Sequence, residues 1–345
     1  MSVINDLPIS SQQDKGAVPL DEFIAHRRED DHKIQSVKTH LLEVSQLCGR
    51  FSAKVSVAEA GKILGLLHDL GKYSRAFQSY IQSATGVLDP DLDEAHVDAS
   101  SLKGKIDHST AGAQRIWSLL KSYGVPGQMA GRILSVCLAS HHGGLMDCLT
   151  PDGRDGFGDR MNKADDKTHH RECVRKADQV ILSALENLNP ENFIKEFCKV
   201  LVHIYAPEKE EKRQIKEFRI GLFTRFLFSC LIDADRINSA DFEIPENAKY
   251  RSDTPINWQV AISRLEAKLA GFGIHTPIDE IRCSISERCR RQADKPRGSI
   301  LSQCPREGGK PFPACGLPCT TPINTSLSIL FISFPIPLLL SKTPG

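Results

Sequence analysis

Histidine and aspartate recur in this chain at the ends of runs with helical periodicity, and that pairing constrains the fold more than any other feature. Ile63, Leu66, Leu67 and Leu70 fall at helical spacing around His68 and Asp69, in the segment LLHDLGKYS, and Gly71 is a stop signal. Met129, Ile133, Val136 and Leu138 lead into His141 and His142, in ASHHGGL. Phe218, Leu222, Phe226 and Leu227 run toward Asp233 and Asp235, in LIDADR. His40 sits in THLLEV; His108 sits in IDHSTAGA, where Ser109 and Thr110 are candidate caps for a helix through Ile116, Leu119 and Leu120. No segment alternates long enough to argue for a sheet, so the expected fold is all-α. A helical bundle that gathers these side chains has enough nitrogen and oxygen ligands for two adjacent divalent metals, and such a pair can cut a phosphodiester bond.

Singly, each motif is weak. A bare His-Asp dipeptide arises by chance, His40 alone reads as a packed or exposed helix residue, and a His-His pair reads as a solvated helix end. Their order, with Gly-Lys after His-Asp and Gly-Gly after His-His, is what chance does not supply. His169 and His170 lie in a charged stretch and are expected to be solvent-exposed, while His26, His32, His203 and His275 carry no motif.

Composition narrows the remaining choices. The formal net charge of the 345 residues is +1, so no global basic excess announces nucleic acid, and a DNA-binding reading must rest on a local groove. Five of the 11 cysteines lie at or after Cys283, the earlier ones lack paired spacing, and no secretory signal opens the chain, so a reducing cytoplasm is expected. The apolar stretch at 326–340 is too short for a spanning helix and is interrupted by Pro335 and Pro337, so no membrane is expected. The expected organisation is a flexible leader over 1–30, a helical domain over 31–250, a helical connector over 251–297 and an aberrant tail over 298–345. Residues 143–158, rich in Gly and Asp, read as a loop beside the histidines.

The segments HDLGK, KGKIDHSTAGAQ and SHHGGLMDCLTPDG resemble the nuclease domain of the CRISPR-associated HD nuclease-helicase of type I systems. The resemblance covers residues 20–297. It implies an HD-domain metal-dependent phosphohydrolase helical bundle in which Asp69 bridges two ions. His40, His68 and a terminal aspartate complete one shell, while His108, His141 and His142 serve the other. The terminal aspartate is Asp235 by the family's Ala-Asp pattern, with Asp233 as the alternative. Imidazole and carboxylate suit Mn, Fe, Co, Ni or Zn, with Mg where water fills the shell. His68 and Asp69 would be catalytic, with Lys72 holding the scissile phosphate or polarising a ligand. The implied substrate is single-stranded DNA and the implied partner an RNA-guided CRISPR surveillance complex. Competing readings are a phosphohydrolase of nucleotides or cyclic nucleotides, which needs a closed base-and-ribose pocket, and a non-functional truncated fragment that still binds the surveillance complex.

From about Gly298 helical periodicity stops, and after Lys310 the only charged side chain is Lys342. A disordered tail is one reading, and a cysteine metal site at Cys304, Cys315 and Cys319 is another, without a CxxC pair to support it. A third follows from the genetic code. Shifted by one base, the codons allowed for Ser299 to Pro322 include Tyr-Thr-Leu-Thr-Val-Pro-Thr-Gly-Gly-Gly-Lys-Thr, which resembles a helicase phosphate-binding loop. That reading makes 298–345 a frameshifted, disordered tail replacing a helicase.

Overall fold

The computed structural model describes residues 23–88, 93, 95–102, 104, 106–205, 212–249, 251 and 257–293. Most of the expected leader and the whole 298–345 segment, including the apolar stretch and the late cysteines, therefore lie outside the described residues. The described chain opens on a hairpin of two short antiparallel strands, β1 (Ile24–Arg27) and β2 (Ile34–Ser36). Ile24 and Ala25 are buried, so part of the segment read as leader is packed against the domain. Strands of four and three residues are too short to show alternation, so no sequence pattern announces them.

Apart from an isolated antiparallel bridge between Leu149 and Asp155, the remaining regular structure among the described residues is helical. Ser36 caps α1 (Val37–Ser52) by accepting from the Thr39 amide, and a 3-10 turn, Ala53–Val55, leads to α2 (Ala58–Leu67). A second 3-10 turn, Leu70–Tyr73, follows and Ser74 caps α3 (Arg75–Ala84). Then come α4 (Ala99–Leu102), α5 (Thr110–Leu120) and α6 (Gly124–Ser140). The expected loop after His142 ends in α7 (Gly156–Met161), and the short helices α8 (Asp165–Thr168), α9 (His170–Lys176) and α10 (Gln179–Glu186) lead to α11 (Pro190–Tyr205). The longest helix is α12 (Arg213–Glu243), followed by α13 (Glu246–Lys249). The chain divides into two compact units between Arg251 and Ser252. In the second unit, α14 (Trp258–Ala270) and α15 (Pro277–Ala293) bury none of their described side chains.

The core of the first unit is where α1, α2, α5, α6 and α12 meet. Leu41, Leu64, Leu67, Ile116, Leu134, Leu138 and Leu227 are fully enclosed there. Each such side chain contributes about 1.5–3 kcal/mol relative to exposure. Two glycines set how closely the elements approach. A Cβ on Gly112 would lie 1.9 Å from the Leu67 carbonyl oxygen, so α5 rests directly on the end of α2. A Cβ on Gly71 would lie 2.3 Å from the His108 carbonyl oxygen, to which the Gly71 amide donates at 3.1 Å. Both obstacles are backbone and cannot swing aside. Gly71→Ala is therefore expected to cost about 1–3 kcal/mol of overpacking. In a domain of this size that is a fall of roughly 2–12 °C in Tm by calorimetry, and an unchanged Tm would contradict the close approach.

Among the described residues no helix is long and apolar enough to cross a membrane.

Candidate metal centre

The candidate side chains are delivered by several elements. His40 lies on the buried face of α1, and His68 caps the C-terminal end of α2. Asp69 leaves the helical region (φ −112°, ψ 25°), which turns the chain into the 3-10 turn carrying Lys72. His108 precedes α5, His141 ends α6 with His142 next to it, and Asp235 lies on α12.

The structure brings all of them to one place, around the Asp69 carboxylate. Asp69 Oδ2 is 3.4 Å from His40 Nε2 and 3.3 Å from His68 Nε2. Asp235 Oδ1 joins this group at 3.4 Å from His40 Nε2 and 3.7 Å from His68 Nε2. Asp69 Oδ1 faces the other way, 3.2 Å from His141 Nε2, 3.7 Å from His142 Nε2 and 3.8 Å from His108 Nε2. Asp233 is exposed on another face of α12 and takes no part in these contacts.

The outer ring nitrogens explain the inner ones. His68 Nδ1 donates to the Gly65 carbonyl (2.8 Å), His141 Nδ1 to Leu138 (2.7 Å) and His108 Nδ1 to Ile106 (3.1 Å). His40 Nδ1 donates to Asn238 Oδ1 at 2.7 Å. An imidazole that donates through Nδ1 keeps a lone pair on Nε2 in its neutral form. Hence, in their neutral forms, the Nε2 lone pairs of His40, His68, His108 and His141 converge with carboxylate oxygens; His40 and His68 Nε2 lie 3.1 Å apart, and His108 Nε2 is 2.6 Å from His142 Nε2. Acceptors this close repel unless a cation lies between them, and orienting each ligating histidine through its second nitrogen is how metal sites are built. His40, His68 and Asp69 form one cluster able to hold a metal, and Asp69, His108 and His142 form another.

The electrostatics agree. Burial opposes charge on His68, but the Asp69 carboxylate and bonds to Asp235 override it and raise the pKa to about 10, so this group of atoms favours a positive charge at its centre. Burial pulls His108 down to about 4 and also lowers His141, leaving both as neutral donors at pH 7. Against its own burial, the Asp69 carboxyl is held well below the carboxylate range by Lys72 and His68. Lys72 is 4 % exposed, its Nζ lies 2.9 Å from Asp69 Oδ2, and the group also meets the Ala25 carbonyl at 3.4 Å.

Several residues near the centre had no motif to announce them. The His26 ring stands edge-on to His40, with centroids 4.8 Å apart, and burial with Lys72 and His40 nearby depresses it to about 2. Asn238 lies one helical turn beyond Asp235, a spacing that places both on one face and was the available signal. The cap of α5 is Asp107 rather than Ser109: Asp107 accepts from the Thr110 amide and hydroxyl, and from Lys163 Nζ. Ser109 already has helical backbone angles and makes no cap bond. His169 and His170 are half-buried instead of exposed. His169 takes a left-handed conformation (φ 53°) between α8 and α9, and His170 Nε2 is enclosed without a hydrogen-bond partner. His32, His203 and His275 are exposed. A cavity of about 280 Å³ lined by Ile106, Asp107, Lys163 and Lys167 lies against the segment that carries His108.

An all-α bundle gathering histidines and aspartates around a central His-Asp pair defines the HD class of metal-dependent phosphohydrolase domains. Residues 27–213 match the family described as Cas3, HD domain, and the chain belongs to that family of metal-dependent CRISPR nuclease domains. The match takes in every candidate ligand from His40 to His142 and ends before Asp235. No curated protein matches the chain.

Proposed function

We propose that this domain cleaves single-stranded DNA with two divalent ions, one held by His40, His68, Asp69 and Asp235, the other by Asp69, His108, His141 and His142. The observation that carries this reading is the division at Asp69, one oxygen toward each group of histidines. When bound, such a pair supplies an activated water and Lewis acids for an in-line displacement. The chain's own part is orientation. The Nδ1 bonds fix the rings, Lys72 steadies Asp69, and buried His40, His68 and His141 form a floor closed to bulk water. His142, with its side chain 49 % exposed, marks the open side. An open side at His142 suits an extended strand, whereas a nucleotide or cyclic-nucleotide phosphohydrolase needs an enclosed base-and-ribose pocket. Nitrogen-rich shells suit Mn, Fe, Co or Ni, with Mg where water completes the set. The family context adds recruitment by an RNA-guided surveillance complex in the cytoplasm.

The purified protein, given Mn, is expected to take up about two equivalents. It should then cut single-stranded DNA without ATP, with EDTA abolishing the cutting. Metal-replete protein that holds no divalent ion would sink the site. Faster hydrolysis of a cyclic dinucleotide than of single-stranded DNA would sink the substrate.

A further inference from the structure

The side chain that fixes His40 is itself fixed by a buried polar relay. Asn238 Oδ1 accepts from His40 Nδ1 at 2.7 Å and from Gln35 Nε2 at 3.0 Å. Asn238 Nδ2 donates to Glu43 Oε2 at 2.6 Å, and Gln35 Nε2 reaches the same oxygen at 3.0 Å. The donor and acceptor pattern leaves no freedom. A carboxylate only accepts, so Glu43 obliges Asn238 to turn its NH₂ toward it. Asn238 must then show its oxygen to His40, His40 must donate through Nδ1, and its Nε2 lone pair must face Asp69, His68 and Asp235. Gln35 locks the arrangement: flipped, its oxygen would face two acceptors. Its present orientation leaves Gln35 Oε1 buried with no partner, a cost that the doubly donating Nε2 offsets. The relay joins β2, α1 and α12.

We infer that Asn238, with Glu43 behind it, is the positioning residue for the His40 side of the metal centre, setting which ring nitrogen His40 presents. The inference rests on the two-ion reading above and deepens it. Its conservative test is Glu43→Gln. A glutamine in that place can offer its own NH₂ to Asn238, so the amide is free to turn over, show its NH₂ to His40 and drive the proton to Nε2. Orienting partners of metal-bound histidines typically control affinity by about 10–100-fold. Glu43→Gln should therefore weaken uptake of one of the two ions by about that factor in a metal titration, while the Tm in EDTA stays close to that of the parent. The double variant Asn238→Asp with Glu43→Gln restores the pattern, since the new carboxylate accepts from His40, Gln35 and the new glutamine. It should bind metal within about threefold of the parent, tighter than Glu43→Gln alone. Nitrogen shifts of the His40 ring in the metal-free protein should report a proton on Nδ1 in the parent and the double variant, and on Nε2 in Glu43→Gln. A Glu43→Gln protein with unchanged metal affinity overturns the inference, as does a double variant no better than Glu43→Gln. Failure of the parent to bind any divalent ion would instead overturn the two-ion reading itself.

Discussion

Asp69→Asn is expected to lower turnover on single-stranded DNA by about 10³-fold, the upper end of the loss typical when a group that organises transition-state charge is removed. The size follows from the number of contacts one side chain makes. Both carboxylate oxygens are used, Oδ2 toward His40, His68 and Lys72 and Oδ1 toward His108, His141 and His142. An amide keeps the shape but has one oxygen, no charge and an NH₂ that would point at one group of lone pairs. Metal content should fall with activity, measured by elemental analysis after dialysis against Mn. Two controls bound the interpretation. Asp233→Asn, on the exposed face of α12, should keep activity within about twofold, as surface substitutions do, and His169→Ala, half-buried but outside the group around Asp69, should keep it too, whatever its left-handed backbone costs in stability. If either control lost as much as Asp69→Asn, the grouping around Asp69 would not be the centre of the chemistry.

The contrast between these variants also explains what could be read from the sequence. Metal chemistry demands particular side chains, so His68 with Asp69, and His141 with His142, stood out as motifs at the ends of periodic runs. The helical runs themselves were legible because burial of Leu64, Leu67, Leu134 and Leu138 imposes a 3.6-residue period. The supporting residues were not, because their role depends on approach in space. Glu43 and Asn238 are separated by 195 positions and meet only because α1 packs on α12. His26 sits on a four-residue strand, too short to alternate, in a polar stretch that offered no period at all. Asp107 lies in the same motif as His108, yet its capping of α5 was hidden by Ser109 two residues on, a residue type that caps equally well. Serine is a good cap only when its backbone is extended, and Ser109 (φ −87°, ψ −26°) has already entered the helix. Asp235 differs from Asp233 only by helix face, which depends on where α1 and α2 lie against α12.

Lys72→Met is expected to destabilise the metal-free protein strongly and the metal-loaded protein little. The lysine is buried, its Nζ is 2.9 Å from Asp69 Oδ2, and it stands 5.6 Å from the centroid of the Phe77 ring. Methionine fills the space of the stem and removes the charge, leaving the enclosed Asp69 carboxylate short of a partner. Breaking a buried pair from one side typically costs about 3–5 kcal/mol. The same carboxylate keeps its contacts to His68 and His141, so the lower end applies. About 3 kcal/mol corresponds to a Tm lower by roughly 6–12 °C in EDTA for a domain of this size. With divalent ions bound, positive charge returns to Asp69 from the other side, and the Tm difference should shrink to a few degrees, about a third of the EDTA value or less. A lysine that instead held the scissile phosphate would give the opposite pattern: no Tm change with or without metal, and a raised KM for DNA. The pair of melting curves therefore separates the two roles open to Lys72. Its burial and its single close carboxylate favour the first, in which the lysine stabilises the ligand that the rest of the centre is built around.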